Sequence, residues 1–206
     1  MKVFVCLGAL TRVLLLPLCA AAQVAATPRY GTGVYAGGSF PLERLRDSAN
    51  FGYHAGGMVQ NVVREALDVR LDVVFNKLSD KTLSEGATFR EVGTNMLFAT
   101  LGAELHSVRS SGAPRLRKTV APYLLAGAGV YRFRFDNVCR GAGCLGPERN
   151  ESIETSWGLN LTGGATAPVL GMRTFIQMGY HMMLPKGASD PLSSLILVSM
   201  GLKLGT

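Results

Sequence analysis

The chain has 206 residues, a formal net charge of +7, 25 glycines, three histidines, four cysteines and a single tryptophan. That length suits one domain, and no run of about 20 apolar residues exists to make a membrane-spanning helix. The basic excess is mild and diffuse: Arg109, Arg115, Arg117 and Lys118 surround Ser110-Ser111-Gly112-Ala113-Pro114 with no aromatic residue for base stacking, which reads as a solvated turn and not as a nucleic-acid surface.

Residues 1–22 read as a secretory signal. Lys2 and Arg12 supply positive charge, Val13-Leu14-Leu15-Leu16-Pro17-Leu18-Cys19 form a short apolar core, and Ala20-Ala21-Ala22 offer the small residues that a signal peptidase requires. Arg12 and Pro17 interrupt the apolar run and argue against an anchor. Cys19 raises lipoprotein processing as the alternative, but Leu18 before it is bulky for that reaction. Residues 23–206 then form one domain.

Eight strand-like segments follow, over about 31–40, 50–60, 66–76, 91–106, 119–133, 153–166, 170–182 and 193–204, lengths that suit tilted strands crossing a bilayer. In the third, Leu67, Val69, Leu71, Val73 and Phe75 share one face, and Asp68, Arg70 and Asp72 the other. The fourth sets Leu97, Ala99, Leu101, Ala103 and Leu105 against Thr94, Met96, Phe98, Thr100, Glu104 and His106. In the sixth, Trp157, Leu159 and Leu161 oppose Glu154, Ser156 and Asn160. The seventh sets Met172, Ile176, Met178 and Tyr180 against Arg173, Gln177 and His181, and the eighth Ile196, Val198, Met200, Leu202 and Leu204 against Ser199, Gly201 and Lys203. An even number of strands with both chain ends on one side satisfies a closed antiparallel barrel. With a periplasmic start, the third link (Lys77 to Arg90) and the fifth (Arg134 to Ser152) are expected as long polar outer loops. Residues 61–65 and Ala167-Pro168-Val169 are expected as tight periplasmic turns, while 107–118 is longer than that pattern predicts.

The fifth link contains Cys139-Arg140-Gly141-Ala142-Gly143-Cys144. No His or further Cys stands nearby at metal-ligand spacing, so in an exported protein the pair predicts a small loop-closing disulfide, with free thiols as the alternative.

Two barrels fit this pattern. A secreted, lipocalin-like ligand-binding barrel would turn the apolar faces inward and wet the others. A membrane barrel inverts that sense. The second faces are sparse in charge and rich in small residues, and their opposite charges sit on different strands: Asp68, Asp72, Glu104 and Glu154 against Arg70, Arg173 and Lys203. A narrow lumen suits such a set, because charges there pair with one another. Tyr30, Tyr35, Phe40, Phe51, Tyr53, Phe75, Tyr123, Tyr131, Phe133, Phe135, Trp157 and Tyr180 stand near strand ends as candidates for the interfacial aromatic girdles.

Gly33-Val34-Tyr35-Ala36-Gly37-Gly38, Pro122-Tyr123-Leu124-Leu125-Ala126-Gly127-Ala128-Gly129-Val130, Gly158-Leu159-Asn160-Leu161-Thr162-Gly163-Gly164-Ala165 and the closing Ser199-Met200-Gly201-Leu202-Lys203-Leu204 resemble the small eight-stranded outer-membrane barrels of the opacity-protein, OmpA and OmpX type. The resemblance spans nearly all of residues 23–206. It implies an all-β, eight-stranded antiparallel up-and-down transmembrane β-barrel in a Gram-negative cell envelope, monomeric and surrounded by outer-membrane lipids. One departure is that such barrels usually finish on an aromatic residue, whereas this sequence reads Leu204-Gly205-Thr206.

No catalytic constellation stands out. An outer-membrane deacylase would need a Ser nucleophile, a His base and an acid. His106 and Ser107 are adjacent and so point to opposite faces of a strand, and a Glu104–His106 pair on one face reads equally well as a lumen hydrogen bond. His54 and His181 read as lumen or rim residues and not as metal ligands, and the sequons at Asn150 and Asn160 carry no weight in a bacterial envelope protein. No cofactor is expected. The expected function is a non-enzymatic integral barrel with a structural role, or one that presents its outer loops to host, surface or envelope components. A narrow porin-like transport component is the runner-up.

Overall fold

The computed structural model describes residues 30–64, 66–85, 88–107, 120–141, 149–170, 172–185 and 192–204. The expected signal segment 1–22, the basic cluster at 109–118 and Cys144 lie outside them, as does the Cys139 side chain, so the signal and disulfide expectations fall outside as well.

The strands are β1 (Tyr30–Leu42), β2 (Asn50–Arg64), β3 (Leu67–Glu85), β4 (Thr88–His106), β5 (Ala121–Gly141), β6 (Arg149–Val169), β7 (Met172–Met183) and β8 (Ser193–Leu204), with one short helix, α1 (Glu43–Ser48), between β1 and β2. Each strand pairs antiparallel with its sequence neighbour, and β8 returns to β1 to close the barrel. Where all eight strands are paired, closure satisfies the backbone without leaving a sheet edge, the condition a sheet must meet inside hydrocarbon. Among the described residues no helix is long and apolar enough to cross a membrane.

The alternating faces point as the inverted sense requires. Val34, Leu71, Val73, Phe75, Leu97, Leu101, Leu105, Leu124, Leu159, Leu161, Ile176, Met178 and Met200 are exposed on the outside. Their strand neighbours Asp72, Val74, Phe98, Thr100, Glu104, Leu125, Asn160, Gln177 and Ser199 are buried inside. Towards the end of the barrel that bears the β3–β4 link, hereafter the far end, the outer face changes character. Along β3 Phe75 gives way to Lys77, and along β5 Val130 gives way to Arg132 and Arg134. These positions are adjacent across the sheet, since Lys77 pairs with Asn95, Asn95 with Arg134 and Arg132 with Thr155. They mark one boundary of the apolar belt.

Beyond that boundary the structure departs from the expected loops. β3 and β4 have 19 residues each and β5 and β6 have 21, against roughly 9–11 needed to cross a bilayer. The segments read as long outer loops, Lys77 to Arg90 and Arg134 to Ser152, are therefore largely strand. Of the described side chains there, residues 150–155 of β6 are exposed on both faces, so the apolar alternation that marks a membrane strand is absent along that stretch, whereas Val92 of β4 is buried. The expected turns at 61–65 and 167–169 also shift outward, because β2 runs to Arg64 and β6 to Val169. The second of these turns holds Leu170 at φ 51, a left-handed conformation unusual for a branched side chain.

Inside, bulky residues face glycines across the sheet. Tyr35 lies opposite Gly56 on one neighbour and Gly201 on the other, His54 opposite Gly37, Arg70 opposite Gly102, Tyr123 opposite Gly164 and Phe175 opposite Gly201. A Cβ placed on Gly164 would stand 2.5 Å from Tyr123 Cζ and 2.8 Å from the Ile176 carbonyl oxygen. This corrects five of the girdle assignments: Tyr35, Tyr123, Tyr131 and Phe133 are buried in the lumen and Phe135 is half-buried against the same cluster, stacked on Phe133, while Tyr30, Phe40, Phe51, Tyr53, Phe75, Trp157 and Tyr180 are exposed outside. The lumen is layered as well. On β3 its inward residues run from Asp68, Arg70 and Asp72 at the near end to Val74, Asn76 and Leu78 towards the far end. Leu78, Met96, Phe133, Met183 and Leu195 join Leu45 and Ala49 of the β1–β2 link in one apolar cluster.

Two substitutions test this sidedness. Leu101→Arg, on the lipid face near mid-strand, is expected to cost about 2–4 kcal/mol in urea unfolding from lipid vesicles. Gly164→Val is expected to cost about 1–3 kcal/mol in the same assay by overpacking against Tyr123.

Candidate functional site

The near half of the lumen holds an ion-pair network centred on Arg70. β3 supplies Asp68, Arg70 and Asp72 at period two, which turns all three inward, while β4 supplies Glu104 and β8 supplies Lys203. Arg70 Nη2 donates to Asp72 Oδ1 at 2.7 Å and to Gln177 Oε1 at 3.2 Å, and Nη1 donates to Glu104 Oε2 at 2.9 Å. The second Glu104 oxygen accepts from Lys203 Nζ at 2.8 Å. Two tyrosines complete the set, with the Tyr35 hydroxyl on Asp72 Oδ1 at 2.7 Å and the Tyr123 hydroxyl on Gln177 Oε1 at 2.8 Å. The Arg70 guanidinium also sits 5.8 Å from the ring centres of both Tyr35 and Phe175, and Lys203 Nζ lies 5.0 Å from that of Tyr123.

Asp68 forms a second group at the near mouth. Its Oδ2 accepts from Gln60 Nε2 and lies 2.8 Å from His106 Nε2, which is also 3.3 Å from Glu104 Oε1. The expected Glu104–His106 pair is thus present in this geometry. Of the seven charges read from the sequence, the structure brings together Asp68, Arg70, Asp72, Glu104 and Lys203. Glu154 has inward register but is exposed in the overhang, past the closed part of the barrel, so it is not in this cluster. Arg173 is exposed at the near rim, where its backbone pairs with Lys203. Gln60, Gln177, Tyr35 and Tyr123 escaped the charge-based reading because they are neutral. Their strand parity, shared with inward glycines, was the available signal.

The middle of the lumen carries two histidines without acidic partners among the described residues. His54 is bonded at Nδ1 to Ser39 Oγ (3.0 Å) and at Nε2 to Ser199 Oγ (2.8 Å), and His181 Nδ1 to the Tyr131 hydroxyl (2.9 Å). A serine–histidine contact can serve a nucleophile, but both serines are buried and no substrate-sized space adjoins them. The central cavity measures about 10 Å³, room for a single water molecule, and is lined by Arg70, Asp72, Asn160 and His181 among others. Arg70 Nε and Asn160 Oδ1, on that lining, have no hydrogen-bond partner among the described residues.

Removing the hub should be far worse than removing a peripheral member. Arg70→Met leaves Asp72 and Glu104 buried with one cation between them, and is expected to cost about 3–5 kcal/mol in reversible unfolding. Lys203→Met, which leaves Glu104 on Arg70, should cost measurably less.

No family model matches this sequence, and no curated protein matches it. Solved structures do match its fold. A major outer membrane protein from Thermus thermophilus aligns with TM-score 0.56 at 16% identity, over 84% of this chain and 98% of that one. The outer membrane protein OprG from Pseudomonas aeruginosa aligns with TM-score 0.50 at 12% identity, over 87% of this chain and 98% of that one. Closed topology, an apolar exterior and a polar interior agree with that likeness: the chain has the eight-stranded β-barrel fold of the small outer-membrane proteins.

Proposed function

We propose that this protein is a monomeric, non-enzymatic barrel of the outer membrane that holds an extended sheet away from the cell for contact with host, surface or envelope components. The near end, with the short β2–β3 and β6–β7 turns and both strand termini, then faces the periplasm, and residues 1–22 act as the export signal. The overhang carries this reading. β2 pairs with β3 only as far as Asn50–Ser79, and β7 meets β6 only from Gly158–Met183. β3–β4 pairing nevertheless continues to Glu85–Thr88 and β5–β6 pairing to Val138–Arg149. Four strands therefore stand beyond the barrel wall with unpaired edges on β3 and β6, among the described residues. Open edges of this kind are templates for another extended chain. A barrel with only a structural role has no use for so long an extension, and Arg134 braced by Glu151 at 2.9 Å stiffens it in water.

The filled lumen weighs against the pore reading. Leu78, Met96, Met183 and Leu195 close its far half under Leu45, and α1 is fastened there by the Ser194 hydroxyl donating to the Glu43 carboxylate at 3.1 Å and by Lys81 Nζ donating to the Arg46 carbonyl at 2.8 Å.

In planar bilayers the purified protein is expected to give no discrete conductance steps, and regular steps would favour the transport reading. Trypsin added to intact cells should cut within Arg132–Arg140 and leave the strands of the belt protected. A variant trimmed of the overhang should keep heat-modifiable gel mobility but lose binding to target surfaces. Unchanged binding would remove the overhang from the function.

A further inference from the structure

We propose that Asp68, Glu104 and His106 form a binding site for one divalent transition-metal ion at the near mouth of the barrel. The three come from facing strands: Asp68 and Glu104 are paired across β3 and β4, and His106 is two residues further along β4, on the same inward face. One ligand atom from each lies within 4.8 Å of the other two. Two edges of that triangle measure 2.8 Å and 3.3 Å. Ligand atoms placed about 2.0–2.2 Å from one ion stand roughly 3.0–3.5 Å apart in octahedral or tetrahedral geometry. Small side-chain adjustments would centre an ion among them.

Three carboxylates, Asp68, Asp72 and Glu104, stand in the cluster with Arg70 and Lys203, and the charge of Arg173 at the rim also bears on Lys203, so it is the placement of Asp68 and Glu104 about His106 that favours a cation. Asp68 Oδ2 faces His106 Nε2 at 2.8 Å and also accepts from Gln60 Nε2, which would share that oxygen with the ion or swing off it. Lys203 competes for Glu104 Oε1 at 2.8 Å, but a carboxylate oxygen has two lone-pair positions and can serve both. His106 is partly exposed, so its ring gives an ion access from the water at the mouth. Ligation requires the neutral ring with its proton on Nδ1, leaving the Nε2 lone pair for the metal. One imidazole with two carboxylates suits Zn²⁺, Mn²⁺, Co²⁺ or Fe²⁺, whereas Ca²⁺ and Mg²⁺ prefer all-oxygen sets.

The test is titration calorimetry of Zn²⁺ and Mn²⁺ into the untagged, detergent-folded protein with its cysteines alkylated. ¹⁵N-histidine spectra would be recorded with Zn²⁺. One ion per chain is expected, with only the His106 ring shifted among the three histidines of the sequence. His106→Ala and Asp68→Asn should each weaken binding at least tenfold while heat-modifiable mobility, which reports the folded barrel, is retained. The proposal is overturned by no saturable binding, by unchanged affinity in His106→Ala, or by Ca²⁺ and Mg²⁺ binding as tightly as Zn²⁺. If His106→Ala fails to fold, the wild-type spectra decide, since a shift at His54 or His181 in place of His106 equally refutes the site.

Discussion

A closed sheet of eight strands leaves a lumen only as wide as its own side chains, and each inward position of this barrel answers to that width. Several bulky inward residues are set against glycine on the neighbouring strand, although Phe98 and Tyr131 do meet across β4 and β5 as stacked rings 5.0 Å apart. Tyr35 faces Gly56 and Gly201, Arg70 faces Gly102, and Tyr123 faces Gly164. The glycines are placed by volume. The same narrowness forces the inward charges within bonding distance of one another, and Arg70 becomes a hub because its planar group can reach Asp72, Glu104 and Gln177 at once. Among the described residues the central cavity is about one water molecule in size.

The polarity of the lumen changes along its axis. Charges gather towards the near end, histidines bonded to hydroxyls fill the middle, and Leu78, Met96, Met183 and Leu195 fill the far end beneath α1. An apolar layer inside a barrel gains from burial as any soluble core does, while the ion pairs below it gain little net stability. Those pairs set which residues face each other across the lumen, and a slip of one residue in strand pairing would send Arg70 into hydrocarbon. The left-handed Glu43 at the start of α1, φ 49, is held by the Ser194 hydrogen bond and by backbone bridging to Ser193. The link between β1 and β2 is thereby tied down over the apolar layer, as a fixed cover.

Much of this was legible in the sequence, for one physical reason: in the apolar belt, a strand must show lipid to one side and lumen to the other. Leu67 to Phe75 and Leu97 to Leu105 carry that alternation without exception, and their strands lie where the pattern puts them. The overhang was not legible, because residues 150–155, exposed on both faces, lose the period that identifies a strand. The aromatic girdle was only partly legible. Position near a strand end says nothing about face, and Tyr35 between Gly33 and Gly37 shows that shared parity with glycine marks the inside. Asp68, Arg70, Asp72, Glu104 and Lys203 met because all have inward parity on the near half of their strands. Glu154 has the same parity at the other end of its strand, beyond closure. α1 left no readable trace, being six residues without periodicity.

The central claim is that, within the belt, the odd-numbered residues of β4 from 97 to 105 touch hydrocarbon and the even-numbered ones between them do not. Nitroxide scanning of single-cysteine variants from Leu97 to Leu105 in lipid vesicles tests it directly. Collisions with membrane-dissolved oxygen should be frequent at 97, 99, 101, 103 and 105 and rare at 98, 100, 102 and 104. High oxygen collision at the even positions, with the odd positions open to a water-soluble relaxant, would contradict it.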